Sequence, residues 1–189
     1  VSKIFKREQV LTIPNFLSMF RILLIPVIIW MYCGLEQYYA AIVVLLISGL
    51  TDILDGVIAR RCNMVSDFGK ILDPIADKLT QFSVIVCLAV NYEAMQLLIA
   101  LFVAKEVILA VMGYLAIRKL NSINSAKWYG KANTVLLYTV MVILILFPDI
   151  SQTVADGMIL VCAVSVVASF LLYSNFYLRL FRENRTMNR

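Results

Sequence analysis

The run Asp52-Ile53-Leu54-Asp55-Gly56-Val57-Ile58-Ala59-Arg60, continued by Gly69, Asp73 and Asp77, carries four carboxylates through sequence that is otherwise apolar enough to lie in a membrane. A carboxylate at bilayer depth costs about 3 kcal/mol even on insertion scales. Four of them at short spacings need a compensating partner, and a cluster of metal ions is the partner their number points to.

Working outward, the composition describes a membrane protein. Apolar residues make up 62% of the 189 positions and charged residues 15%, against about 45–50% and about 25% in soluble domains. Windows of about 20 residues give six expected helical spans: Asn15–Cys33, Tyr39–Ala59, Asp73–Asn91, Ala94–Arg118, Asn133–Phe147 and Ala155–Leu178. Pro148 closes the short fifth span. The first is expected to remain as structure, because Arg21 interrupts it and no small-residue cleavage site follows it near Tyr39. Residues 1–189 therefore read as a single all-α, polytopic membrane domain, with 1–12 as a cytoplasmic N-terminal segment and 179–189 as a basic cytoplasmic tail.

Basic residues set the expected orientation. Lys3, Lys6 and Arg7 precede the first span, Arg60, Arg61 and Lys70 lie between the second and third, and Arg118, Lys119, Lys127 and Lys131 lie between the fourth and fifth. The alternate connectors hold Glu36, Glu93, Asp149 and Asp156 and no Lys or Arg. With six spans, this asymmetry puts both termini and the aspartate region on the cytoplasmic side of the cell membrane. The net charge of +5 is accounted for by this topology and by attraction to anionic lipid heads, and no nucleic-acid partner is expected.

Histidine is absent, which removes His triads, His ligands and His bases. Cys33, Cys62, Cys87 and Cys162 show no CxxC spacing, so neither a disulfide framework nor a zinc site is expected. Chemistry must run on carboxylates, Lys, Arg, hydroxyls and metal ions.

On a helix Asp52, Asp55, Gly56 and Ala59 fall at i, i+3, i+4 and i+7 and share a face, as do Gly69, Asp73 and Asp77 at i, i+4 and i+8. The connector Cys62–Phe68 lets the chain reverse so that both faces meet one cavity. Four oxygen donors without soft ligands suit Mg²⁺ or Mn²⁺, and two such ions form a clamp for in-line attack at phosphorus. Two other readings exist. Pairing of the aspartates with Arg60, Lys70 and Lys78 would serve helix packing, but three scattered cations are too few for four acids. An ion-coupled transporter would also place acids in spans, yet these cluster near one surface, and the remaining spans carry no acid apart from Glu106 and, at the very start of the sixth, Asp156.

The spacing Asp-x2-Asp-Gly-x2-Ala-Arg-x8-Gly-x3-Asp-x3-Asp, met at every fixed position, resembles the signature of the CDP-alcohol phosphotransferase family. The resemblance extends to the six-helix layout. It implies an enzyme that transfers a phosphatidyl group from CDP-diacylglycerol to an alcohol and releases CMP. It further implies two divalent ions, Mg²⁺ or Mn²⁺, held by Asp52, Asp55, Asp73 and Asp77, with Asp77 also taking the acceptor's proton, and a homodimer. Gly56, Ala59 and Gly69 would leave room for the CDP-lipid, and Arg60 and Ser66 would contact it; ordinary close helix packing is the alternative for the small residues. The opening Ile13-Pro14-Asn15-Phe16-Leu17-Ser18-Met19-Phe20-Arg21 is similar to that of the phosphatidylglycerophosphate synthase and cardiolipin synthase branches. There Asn15 and Ser18 become CDP-lipid contacts, and Arg21 a phosphate or carboxylate partner assigned to the acceptor pocket. Pro14 and Asn15 also read as a plain helix start.

The acceptor is read from the second half. Lys105-Glu106 and Gly130-Lys131-Ala132-Asn133-Thr134 resemble segments of phosphatidylglycerophosphate synthases, with Lys105, Arg118, Lys127 and Lys131 as cations for glycerol 3-phosphate. A mutual Lys105–Glu106 pair and a topology-setting Lys131 are the simpler alternatives. Asn133 stands where those enzymes carry a base, and Gly113 where they commonly carry an Arg. The cardiolipin synthase branch, whose acceptor is phosphatidylglycerol, has a similar Lys-x-Asn-Thr. Phosphatidylglycerophosphate synthesis is the first expectation and cardiolipin synthesis the second.

Overall fold

The computed structural model describes residues 12–61, 68–120 and 127–187. Among these described residues six α-helices follow in chain order: α1 (Ile13–Ile29), α2 (Tyr38–Arg61), α3 (Gly69–Leu88), α4 (Ala94–Leu120), α5 (Trp128–Leu146) and α6 (Gln152–Met187). The described residues contain no strand, as expected of chain in lipid, where a helix satisfies its own backbone groups.

Local chemistry fixes the ends. Thr12 caps α1, its side chain accepting from the Asn15 N–H at 3.5 Å, and Pro14 occupies the first turn, where its missing N–H costs nothing. After Ile29 the helix widens into a π-helical turn, Trp30–Gly34. The Leu35 N–H bonds the Trp30 carbonyl at 3.0 Å, and the Gln37 N–H reaches back to Met31 at 2.9 Å. Glu36 between them takes a φ of 54°, the left-handed conformation that ends a helix and that Gly adopts more cheaply. At the far end of α5, Pro148 follows two residues after Leu146 and stops the helix.

Among the described residues, five helical stretches are long and apolar enough to cross a membrane: Ile13–Gly34, Tyr38–Ile58, Ala94–Arg118, Trp128–Leu146 and Gln152–Arg182. The expected third span is the exception. α3 carries Lys70, Asp73, Asp77 and Lys78 in its first half, so half of it is too polar to face lipid. The fifth helix is longer than expected, starting at Trp128 instead of Asn133, and the sixth runs nine residues past Leu178. Large apolar side chains at helical spacing are exposed, among them Leu46, Leu50 and Leu54 on α2 and Val164, Val167 and Leu171 on α6. This inversion of the soluble pattern is what a lipid solvent allows, and the chain is an integral membrane protein.

The helices fall into two compact units. The first holds α1, α2 and α3 with Ile145–Pro148, and the second holds α4, α6 and the rest of α5. In the first, α1 packs on both α2 and α3, with Ile28, Tyr32, Ile42, Leu45, Val84 and Ile85 buried. In the second, α4 packs on α6, with Met95, Leu98, Phe102, Ile159, Cys162 and Val166 buried.

Candidate active site

α1 buries its polar side. Asn15, Ser18 and Arg21, three residues apart, are 1%, 0% and 2% exposed, while Phe16, Met19, Phe20 and Leu23 are exposed. Such an arrangement is stable only if polar partners wait on the neighbouring helices.

Those partners are the aspartates. Arg21 Nη2 donates to Asp55 Oδ2 at 2.7 Å, and Nη1 lies 2.5 Å from Asp52 Oδ1. One guanidinium thus joins two carboxylates that sit three residues apart on α2. The Asp55 side chain is 3% exposed and the Asp52 side chain 48%, so the Asp55 arm is the one shielded from solvent screening. The Ser18 hydroxyl lies 2.5 Å from Asp73 Oδ1 on α3, 3.3 Å from Asp55 Oδ2 and 3.1 Å from the Pro14 carbonyl. A hydroxyl has a single proton, and distance gives it to Asp73. Three helices therefore meet at Ser18, Arg21, Asp55 and Asp73.

The chemistry of this donor set suits a hard cation. Asp52, Asp55 and Asp73 supply oxygens only, the kind of ligand Mg²⁺ and Mn²⁺ take, and in this group three carboxylates face one guanidinium. As the side chains stand, no three acidic residues among those described converge on a single coordination point; Arg21 and Ser18 bridge them instead. Asp77 is half-buried on α3, one turn beyond Asp73, and makes interactions of its own. Gly69 is buried at the start of α3, and Gly56 is half-buried on α2. Ala59 and Arg60 lie on the last turns of α2, with side chains outside the described residues, and Ser66 falls outside them altogether.

Of the acceptor candidates, Arg21 is thus engaged with carboxylates, and the other four belong to the second unit. Lys105 is buried and pairs with its neighbour Glu106 at 3.0 Å. Lys127 donates its backbone N–H to the Tyr173 hydroxyl at 3.2 Å and holds Nζ 4.3 Å from the centre of the Phe176 ring, a cation–π contact. Arg118 and Lys131 are exposed. Asn133 is buried on α5 and accepts from Ser165 Oγ of α6 at 3.0 Å, leaving its Nδ2 buried without a hydrogen-bond partner among the described residues.

Sequence reasoning missed the α6 side of this unit. Ser165, Ser169 and Tyr173 recur every four residues, so they share a face. Tyr173 stacks edge-on against Tyr129 at 4.6 Å and covers Gly130 so closely that a Cβ there would collide with its hydroxyl. The spacing of small and hydroxyl residues within an apolar run was the available signal. Of the two partners expected for Arg21, phosphate or carboxylate, the structure shows carboxylate: it pairs with Asp52 and Asp55.

The sequence profile described as CDP-alcohol phosphatidyltransferase matches residues 11–173. The chain is 39% identical over 110 residues to a Streptomyces coelicolor cardiolipin synthase (CMP-forming), covering 56% of this chain and 51% of that protein. It is 36% identical over 115 residues to a Schizosaccharomyces pombe cardiolipin synthase (CMP-forming)/mitochondrial hydrolase fusion protein, covering 60% of this chain and 19% of that one. The matched segment thus spans about half the first relative and a fifth of the second. Against the Escherichia coli K12 CDP-diacylglycerol–glycerol-3-phosphate 3-phosphatidyltransferase it is 30% identical over 167 residues, covering 85% of this chain and 92% of that one. The profile takes in α1 to most of α6, including every residue of the Arg21–Ser18–aspartate cluster, and on that extent the chain belongs to the CDP-alcohol phosphatidyltransferase family.

Proposed function

We propose that this protein transfers the phosphatidyl group of CDP-diacylglycerol to sn-glycerol 3-phosphate, giving phosphatidylglycerophosphate and CMP. The observation that carries the reading is the meeting of Asp52, Asp55 and Asp73 around Arg21 and Ser18. Similarity along nearly the whole length of a relative named for that acceptor supports it.

The family is generally dependent on divalent metals, and Asp52, Asp55, Asp73 and Asp77 are the residues that would hold two such ions. Bound there, Mg²⁺ or Mn²⁺ supplies charge stabilisation for the pyrophosphate oxygens. Asp77 accepts the proton of the acceptor hydroxyl as its oxygen bonds to the phosphatidyl phosphorus. The bond from that phosphorus to the CMP oxygen breaks, and CMP leaves with the electron pair. Asn15, Ser18, Gly56, Ala59, Arg60, Ser66 and Gly69 frame the CDP-lipid, while Lys105, Arg118, Lys127 and Lys131 offer cations to the acceptor phosphate. The excess of Lys and Arg in alternate connectors supports a cytoplasmic site and cytoplasmic termini in the cell membrane. The working form is a homodimer.

A second reading, cardiolipin synthesis with phosphatidylglycerol as acceptor, is favoured by one observation. Asn133 is neutral, buried and already bonded to Ser165, so this position brings no positive charge to a phosphate. Incubating the purified protein with CDP-diacylglycerol, Mg²⁺ and either glycerol 3-phosphate or phosphatidylglycerol decides between them. The first reading requires phosphatidylglycerophosphate as the lipid product, and formation of cardiolipin alone replaces it with the second.

A further inference from the structure

We propose that Arg21 is a resident counter-ion which a divalent metal must displace, so that Arg21 stabilises the metal-free protein and lowers its affinity for metal. The inference rests on the reading of Asp52 and Asp55 as metal ligands.

The guanidinium already engages one oxygen on each of these carboxylates, at 2.5 and 2.7 Å. A divalent ion bound by the same oxygens would stand within a few ångströms of a full positive charge, and on the Asp55 side, which is shielded from solvent, the repulsion is weakly screened. Arg21 cannot relieve that repulsion by losing its proton, since a guanidinium stays charged in proteins. It has to move. Its side chain and that of Asp55 are 2% and 3% exposed, so water does not take over the role of either partner when the pair opens.

Two further features suit an exchange. Of the five N–H donors of Arg21, Nε is buried without an acceptor among the described residues, and the Nη1 contact with Asp52 lacks hydrogen-bond alignment. The guanidinium is therefore incompletely satisfied where it sits. Ser18, for its part, holds Asp73 and lies near Asp55 independently of Arg21. That contact keeps Asp73 tied to α1 while the guanidinium departs.

The test compares wild type, Arg21→Gln and Arg21→Lys, purified in detergent and stripped of metal by a chelator. Thermal unfolding without metal and Mn²⁺ titration followed by the EPR signal of the free ion are measured for each. Arg21→Gln should unfold at lower temperature without metal, bind Mn²⁺ about tenfold more tightly and gain more thermal stability from it than wild type does. Arg21→Lys, whose single ammonium reaches fewer oxygens, should fall between the two, and it carries the test alone if the Gln variant does not fold. If Mn²⁺ binds wild type but the variants bind it equally or more weakly, or if their metal-free stability is unchanged, Arg21 is no competing counter-ion. Failure of wild type and both variants to bind Mn²⁺ at millimolar concentration is a different result, which removes the metal-ligand reading and this inference with it.

Discussion

Ser18 on α1 and Asp73 on α3 are joined by a 2.5 Å hydrogen bond, with an Asp55 oxygen 3.3 Å from the same hydroxyl. A residue of the first helix thereby ties down a carboxylate of α3 beside one of α2. The hydroxyl can satisfy one acceptor at a time, and Asp55 takes its own hydrogen bond from Arg21.

Ser18→Ala removes that proton and leaves Asp73 short of a donor at a half-buried position. The loss should lower stability by about 1–3 kcal/mol, read as a lower unfolding temperature, and should weaken Mn²⁺ binding. Ser18→Thr, which keeps the hydroxyl, should retain most of both. If the Ala variant unfolds and binds metal like wild type, the bridge has no energetic weight.

Asp52→Asn and Asp73→Asn each take a charged oxygen ligand from the proposed pair of ions. Both should abolish CMP release and weaken Mn²⁺ binding while far-UV circular dichroism stays helical. Near-normal turnover in either variant is incompatible with a two-ion site built on these residues.

Asp77→Asn separates proton transfer from ligation. With three carboxylates in place, affinity for CDP-diacylglycerol should persist, while turnover should fall by about 10²-fold or more as the base is lost. Equal losses in affinity and rate would mean that Asp77 acts chiefly as a ligand.

Among the acceptor candidates, Lys131 gives the cleaner test because it is exposed. Lys131→Met should raise KM for glycerol 3-phosphate by about tenfold, the worth of one charge-assisted hydrogen bond, with CDP-diacylglycerol affinity unchanged. Lys105→Met should raise KM too, but it also strips the partner from Glu106, so a loss of thermal stability should accompany it. Asn133→Lys should lower KM if the phosphate lies within reach. An unaltered KM in the Lys131 variant takes that residue out of the acceptor pocket.

Periodicity and composition made much of this legible. The shared faces of Asp52 with Asp55 and of Asp73 with Asp77 follow from helical geometry alone, and so does the common face of Asn15, Ser18 and Arg21. The pairing between those faces does not, because the 34 residues from Arg21 to Asp55 carry no local signal of who meets whom. Hydropathy likewise finds α3 as a helix but says nothing of what meets its charged first half, where Asp73 accepts from Ser18 of α1. The α6 hydroxyl face escaped notice because Ser and Tyr are ordinary members of apolar helices until a partner such as Asn133 or Gly130 is placed opposite them.

The π-helical turn at Trp30–Gly34 has an evolutionary meaning. Such a turn holds about one residue more than an α-helical turn, and this one lies beyond the Asn15–Ser18–Arg21 segment. Gaining or losing a residue there changes the outgoing loop and leaves the angular phase of those three side chains intact. The turn works as an expansion joint, and an alignment of relatives should tolerate a single-residue gap within it where the same gap between Asn15 and Arg21 would rotate the aspartates' partners away.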